Sequence, residues 1–351
     1  MTPVPPDCAG VAADVLAALP ERVIAAVDTV GEAGEDVDRA VTIAHRLGSS
    51  LPDPGTATLT RWAVFAAVAA RSLTVARVLE AHADALAILH EAGQAAVEGT
   101  WGVYAAEAAG HTLSATPAEP GHRYRLDGSK PWCSLAAHLD SALVTARTPA
   151  GRQLFRVGLR QPGVEPLPAG TWVARGLRSV VSAPVRFDGA LADAVGEPGW
   201  YLHRPGFGHG GMGVAACWFG GAVGVLDRLR RHASERGGDL VCAQLGAADV
   251  ALHAARTTLH DAAARVDADG AAGADGDVLA LRVRAVVADA VERVLQHAAH
   301  ALGPGPLAFE ADHAARVADL GVYVRQHHAE RDLAALGAAL IEKAPRESER
   351  A

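Results

Sequence analysis

Residues 128–147 read GSKPWCSLAAHLDSALVTAR. A turn signal, a lone tryptophan beside a cysteine and a serine, and the strand-forming run SALVTAR follow one another directly. Just upstream, Tyr124 and Leu126 alternate with polar residues, and Asp127-Gly128 is a favoured pair for a tight hairpin turn. Residues two apart on a strand share a face. The spacing therefore predicts the Trp132 ring and the Ser134 hydroxyl side by side at the mouth of a strand.

Working outward, FRVGL at 155–159 and APVRFDGA at 183–190 are further short strand candidates set off by Gly and Pro. They make residues 98–200 a small β domain. Before it, Ala, Leu and Val recur at helical spacing, as in Val75, Val78, Leu79, Leu86 and Leu89, with Gly93 a natural stop. Residues 1–97 are predicted to be a helical domain. After it, GAVGVLDRLRRHA (221–233), CAQLGAADVALHAARTTLHDAAARV (242–266) and VLALRVRAVVADAVERVLQHAAHAL (278–302) are too long for strands, and DADGAAGADGD (267–277) reads as a flexible connection. Residues 201–340 fit a C-terminal four-helix bundle, and 341–351 a polar tail. The fold class is α+β, mainly α, in the order helical, β, helical.

Composition narrows the function. The chain has 351 residues and a formal net charge of −8, and its 32 basic residues are scattered, which argues against nucleic acid or an acidic membrane surface as partner. Cys8, Cys133, Cys217 and Cys242 lie far apart with no CxxC pair, as expected of reduced thiols in a cytoplasm. The N-terminal segment has acidic residues where a signal peptide carries an unbroken apolar run. The uncharged stretch 205–226, PGFGHGGMGVAACWFGGAVGVL, meets the length of a membrane span, but its glycines and His209 favour a Gly-rich loop and a buried helix starting near Met212.

The order of domains, G-x-K-x-W-x-[ST] at 128–134 and GLRSVVSAPVRFDGAL at 176–191 together resemble the acyl-CoA dehydrogenase family. The resemblance spans about residues 60–337. It implies an FAD-dependent oxidoreductase in which Trp132 packs against the flavin ring and the Ser134 hydroxyl meets its N5 edge. Arg178 and Ser182 then lie near the cofactor or substrate entrance. The resemblance also implies a cofactor shared across subunits of a homodimer or homotetramer. Arg236, followed by Gln244, matches the residue that reaches a neighbour's pyrophosphate, where a guanidinium fork suits a diphosphate. Here RGGDL replaces the usual aromatic and glycine. Gly303 and Gly305, in ALGPGPLAFEADHAARVADL, match the glycines beside a neighbour's adenine-side phosphates.

Two departures bear on the reaction. In WGVYAAEAAGHTL (101–113), Glu107 is kept while Ala106 replaces the family's Thr and the G-S-D group is missing, leaving the backbone N–H groups of Ala105 and Ala106 for the flavin. The family's Glu-Gly base is also absent. Matching Asp319 to the acidic residue after the Arg-rich helix puts the base at His327, with Glu330 one turn on. The dehydrogenase reading thus has an acyl thioester substrate, His327 or Glu330 as proton acceptor, and an electron acceptor that the sequence does not name. Monooxygenases on the same fold, which place a histidine in this region, are the alternative, and an inactive scaffold relative is the third reading. HHAERDL also resembles the HHxxxDG motif of acyl transferases, but Leu333 stands where that motif has glycine. Only Glu310 and His313 have a di-iron spacing on a helix, so no metal site is expected.

Overall fold

The computed structural model describes residues 27–33, 35–118, 123–168, 170 and 172–343. Helices α1 (Val37–Gly48), α2 (Thr58–Arg71) and α3 (Leu73–Glu91) come first. Asp36 caps α1 by accepting the Arg39 N–H, and Ser72 both ends α2 and accepts the Val75 N–H at the start of α3. Gly93, just past α3, has φ +67°, a conformation glycine adopts without strain.

Seven strands follow: β1 (Trp101–Tyr104), β2 (Leu113–Pro117), β3 (Arg123–Lys130), β4 (Ser141–Thr148), β5 (Gly151–Gly158), β6 (Val164–Pro166) and β7 (Val185–Val195). β4 runs antiparallel to β5 along its length, parallel to β1 over its first half, and meets β2 at Ser114 and Arg147. The pairs β2–β3, β3–β7 and β7–β5 close the ring, with β6 along β7. The chain enters and leaves this barrel at one place, where the Gln94 Nε2–H donates to the Ala194 carbonyl at 3.0 Å.

Three sequence expectations are corrected here. Asp127-Gly128 is not a hairpin turn but lies inside β3, at a bulge between Leu126 and Asp127. Both arrangements call for glycine at positive φ, here +119°, and a Cβ on Gly128 would sit 2.1 Å from the Thr112 carbonyl oxygen. Trp132 and Ser134 are not on a strand either. Pro131 has no N–H for the ladder, so β3 ends at Lys130 and the chain turns through Trp132 and Leu135, both at φ +58°. The long connection predicted at 267–277 shrinks to residues 270–272.

The C-terminal part begins with α4 (Trp200–His203) and the long helices α5 (Gly206–Arg236), α6 (Asp239–Asp269) and α7 (Gly273–Leu302). Short α8 (Gly305–Phe309), α9 (Ala311–Tyr323), a 3-10 turn (Val324–Gln326) and α10 (Glu330–Lys343) complete it. The rest of the expected polar tail, 344–351, lies outside the described residues, as does Cys8. α5 starts at Gly206 rather than near Met212. By length and hydropathy it is apolar enough to cross a membrane, yet 83% of its most apolar window is buried inside the protein. It is the hub of the helical region, packed against α2, α6, α7 and α9. Its glycines make that possible: a Cβ on Gly220 would lie 2.1 Å from the Ala66 carbonyl oxygen of α2.

Candidate functional site

A cleft of about 870 Å³ opens between the barrel and the helices. On the barrel side it is walled by Ala105 and Ala106 after β1, by Trp132 and Ser134 after β3, and by Trp172 and Ser182 before β7. The Ser134 and Ser182 hydroxyls are 2.8 Å apart, and Ser182 donates on to the Val180 carbonyl at 3.1 Å. Trp132 is 55% exposed, its ring edge-on to Trp172 at 6.5 Å. Trp132 thus holds φ +58°, a conformation bulky side chains rarely adopt, with its ring left uncovered. Behind this wall, Lys130 is buried with its Nζ donating to the Thr145 carbonyl and hydroxyl at 2.9 and 2.8 Å, and Arg152 donates to the Ala105 carbonyl.

The helical side is charged. On α3, Arg77 pairs with Glu80 at 3.0 Å, and the Tyr323 hydroxyl approaches the same carboxylate oxygen at 3.4 Å. Burial, opposed by Arg77, pushes the Glu80 carboxyl up to about 7. Asp84, one turn further, is also raised, first by burial. Arg204, its side chain 2% exposed, reaches Asp84 at 3.7 Å and Glu91 at 2.6 Å.

The α9–α10 junction forms the third wall, with Gln326, His328 and Asp332 facing the cleft. Asp332 accepts the His328 backbone N–H at 3.0 Å and lies 3.2 Å from its Nδ1. The residue that lines the cleft is thus His328, not the expected His327. His327 is nearly buried beside it, Nε2 3.8 Å from Asp332, and burial lowers its pKa. Glu330 is exposed at the start of α10 and lies off the cleft. The 3-10 turn after α9 advances the chain out of helical phase, which helix spacing could not foresee.

The residues expected to reach a cofactor's far end stand away from the cleft of their own chain. Arg236 is exposed at the end of α5, Gln244 faces His297 at 2.7 Å on α7, Gly303 caps the end of α7, and Gly305 opens α8. Arg178 is exposed, and its carbonyl accepts the Trp172 Nε1–H. Glu310 is held by Arg228 through two bonds of 2.7 Å, so it is engaged elsewhere than with His313.

Sequence reasoning missed Arg77, Glu80 and Asp84, although three charges at helical spacing inside an otherwise apolar helix were a visible signal. The donor set of the cleft fits a flavin. It offers an uncovered indole face, a pair of hydroxyls, main-chain groups at Ala105 and Ala106, and a volume within the range of cofactor sites.

Residues 197–323 match the acyl-CoA dehydrogenase C-terminal domain family. No curated protein matches the chain. Among solved structures, TdsC from Paenibacillus sp. A11-2 with FMN and indole superposes with a TM-score of 0.76 at 17% identity, covering 94% of this chain and 97% of TdsC. That protein is described as a dibenzothiophene monooxygenase. KijD3, in complex with FMN and a dTDP-amino-keto sugar, gives 0.73 at 17% identity, covering 97% and 96%. Butyryl-CoA dehydrogenase from Megasphaera elsdenii gives 0.72 at 18% identity, covering 94% and 96%. At such identities the likeness is one of fold. The C-terminal helical region matches that domain family, and the chain as a whole has an acyl-CoA dehydrogenase-like fold shared with flavin-bound structures.

Proposed function

We propose that this chain is a flavin-dependent monooxygenase acting on a small organic substrate, rather than an acyl thioester dehydrogenase. The observation that carries the reading is the α9–α10 wall. It presents His328 oriented by Asp332, and the one carboxylate there is already engaged by that histidine. Abstraction of an α-proton calls for an unengaged base, whereas oxygen chemistry calls for a group that holds or returns a proton near neutral pH, as a histidine does. A bound flavin supplies the two-electron redox centre. Trp132 covers one face of its ring, the Ser134–Ser182 hydroxyl pair meets a polar edge, and the main chain at Ala105 and Ala106 holds another. His328, with Nδ1 turned to Asp332, offers Nε2 to the substrate. FMN and FAD share the part these residues hold. Arg236, Gln244, Gly303 and Gly305 serve the remainder of FAD only from a neighbouring subunit, so the FAD form of the reading includes a homo-oligomer.

One observation favours the second reading, α,β-dehydrogenation of an acyl thioester with electrons passed to a separate acceptor. Glu80, a carboxylate in the cleft wall, is pushed by burial up to about 7, although Arg77 and Tyr323 already engage it.

The test is made on protein loaded in parallel with FMN and with FAD. Under anaerobic conditions a panel of acyl-CoA thioesters should leave the flavin band intact. After chemical reduction, mixing with ¹⁸O₂ and a panel of aromatic substrates should give labelled product, slowed at least tenfold by His328→Ala and unchanged by Glu330→Gln. Bleaching by a thioester would install the dehydrogenase reading, and failure to retain either flavin would sink both.

A further inference from the structure

Four arginines line the cleft: Arg77, Arg204, Arg284 and Arg325. Three are matched by carboxylates. Arg77 pairs with Glu80 at 3.0 Å, Arg204 with Glu91 at 2.6 Å, and Arg325 with Glu292. Among the described residues, Arg284 has no carboxylate within ion-pair distance.

Its geometry is nevertheless fixed. On α7, the Arg284 guanidinium lies 4.8 Å from the centre of the Trp218 ring, Nη1 donates to the Gly211 carbonyl at 2.9 Å, and Nη2 donates to the Gln326 carbonyl at 2.7 Å. Two of five N–H donors are thereby used and the fork is held in place, leaving donors for something else. Burial lowers the Arg284 pKa; Asp332 and Glu80 oppose this from a distance, and both are engaged by other partners. The cleft is apolar at Val214, Ala280, Leu281 and Val322, and its acidic lining residues Glu80, Asp84, Asp277 and Asp332 all lie beyond ion-pair distance of Arg284. A half-buried cation without a counter-charge costs stability unless an anion meets it.

We propose that Arg284 sets the substrate class, by pairing with an anionic oxygen group, a carboxylate or phenolate, on a substrate whose remaining body is apolar. The assignment rests on the cleft being the substrate site of the function proposed above. A planar fork held by a ring and two carbonyls is arranged for a two-point hydrogen-bonded contact with such a group. Gly211 lets the Arg284 side chain lie close against α5, since a Cβ there would sit 3.5 Å from its Cδ and 3.7 Å from its Nη1.

The same chemistry is available from the phosphate of FMN, so the experiment has two arms. In the first, calorimetry of the flavin-loaded protein and of the protein without flavin compares benzoate and 2-naphthoate with benzamide and 2-naphthamide. The carboxylates are expected to bind at least tenfold more tightly than their amides. Arg284→Gln should abolish that preference and Arg284→Lys should retain part of it, with thermal melting used to establish that both variants fold. Equal affinity for acid and amide, no measurable carboxylate binding, or a preference that survives in Arg284→Gln each overturns the proposal. In the second arm, FMN and riboflavin affinities are compared in the same variants. The FMN-to-riboflavin ratio is expected to stay constant; its collapse in Arg284→Gln alone would assign the anion to the cofactor and overturn the substrate role. Failure to bind any flavin, with the carboxylate preference intact, would count against the monooxygenase reading and leave this one standing.

Discussion

Replacing Glu80 by glutamine should change how stability depends on pH more than it changes stability at any one pH. Burial pushes the folded-state carboxyl up to about 7 from its ordinary value of 4.5. A raised carboxyl favours the folded state fully below about pH 4.5, and that contribution is lost as pH rises through about 7. At about 1.4 kcal/mol per pH unit the loss amounts to about 3 kcal/mol. An amide cannot ionise, so Glu80→Gln removes the loss while keeping the shape. With an unfolding entropy of about 2.1 cal/mol/K per residue, the melting temperature of the variant should rise relative to the parent by about 4–5 °C between pH 4.5 and 7.5. The constant offset between the two proteins, which includes the Arg77 partner left facing an amide, does not enter that difference. The assay is thermal melting of both proteins every half pH unit from 4 to 8. A difference curve that stays flat across the range would refute the placement of a protonated carboxyl in this wall.

Trp132→Ala should raise the flavin dissociation constant about tenfold, the scale of one aromatic contact, read by titration of flavin fluorescence; unchanged affinity would remove the indole from the cofactor site. Gly220→Ala should lower stability by roughly 1–3 kcal/mol, since its Cβ would collide with the α2 backbone. Gly246→Ala, on α6 with nothing within 4 Å of the new Cβ, should instead stabilise by up to about 1 kcal/mol; melting temperatures moving in the same direction for both would contradict the close crossing of α2 and α5.

Much of the fold was legible because its signals are local. SALVTAR and APVRFDGA carry strand composition bounded by Gly and Pro, and the apolar period of α3, α6 and α7 is helical over several turns. The misreadings share a cause as well. A bulge and a hairpin ask the same of Asp127-Gly128, a glycine at positive φ, and only the partner strands decide between them. Trp132 and Ser134 do reach one cleft, but through a proline-broken loop rather than strand alternation. The shift from His327 to His328 comes from one 3-10 turn. The charges on α3 look like misplaced surface residues until α9 and α5 are seen to close over them.

The bond between Gln94 and Ala194 has a bearing on how the chain reaches this structure. It ties the entrance of the barrel to its exit, while α2 and α3 on one side of the insertion pack against α5 on the other. Left as an open coil, an excursion of about a hundred residues would charge those helices roughly 4 kcal/mol in loop-closure entropy before they met. A barrel that forms first delivers both ends to one point and removes most of that barrier. A β unit that formed early would then act in time as well as in space, by letting the two halves of the helical core find each other.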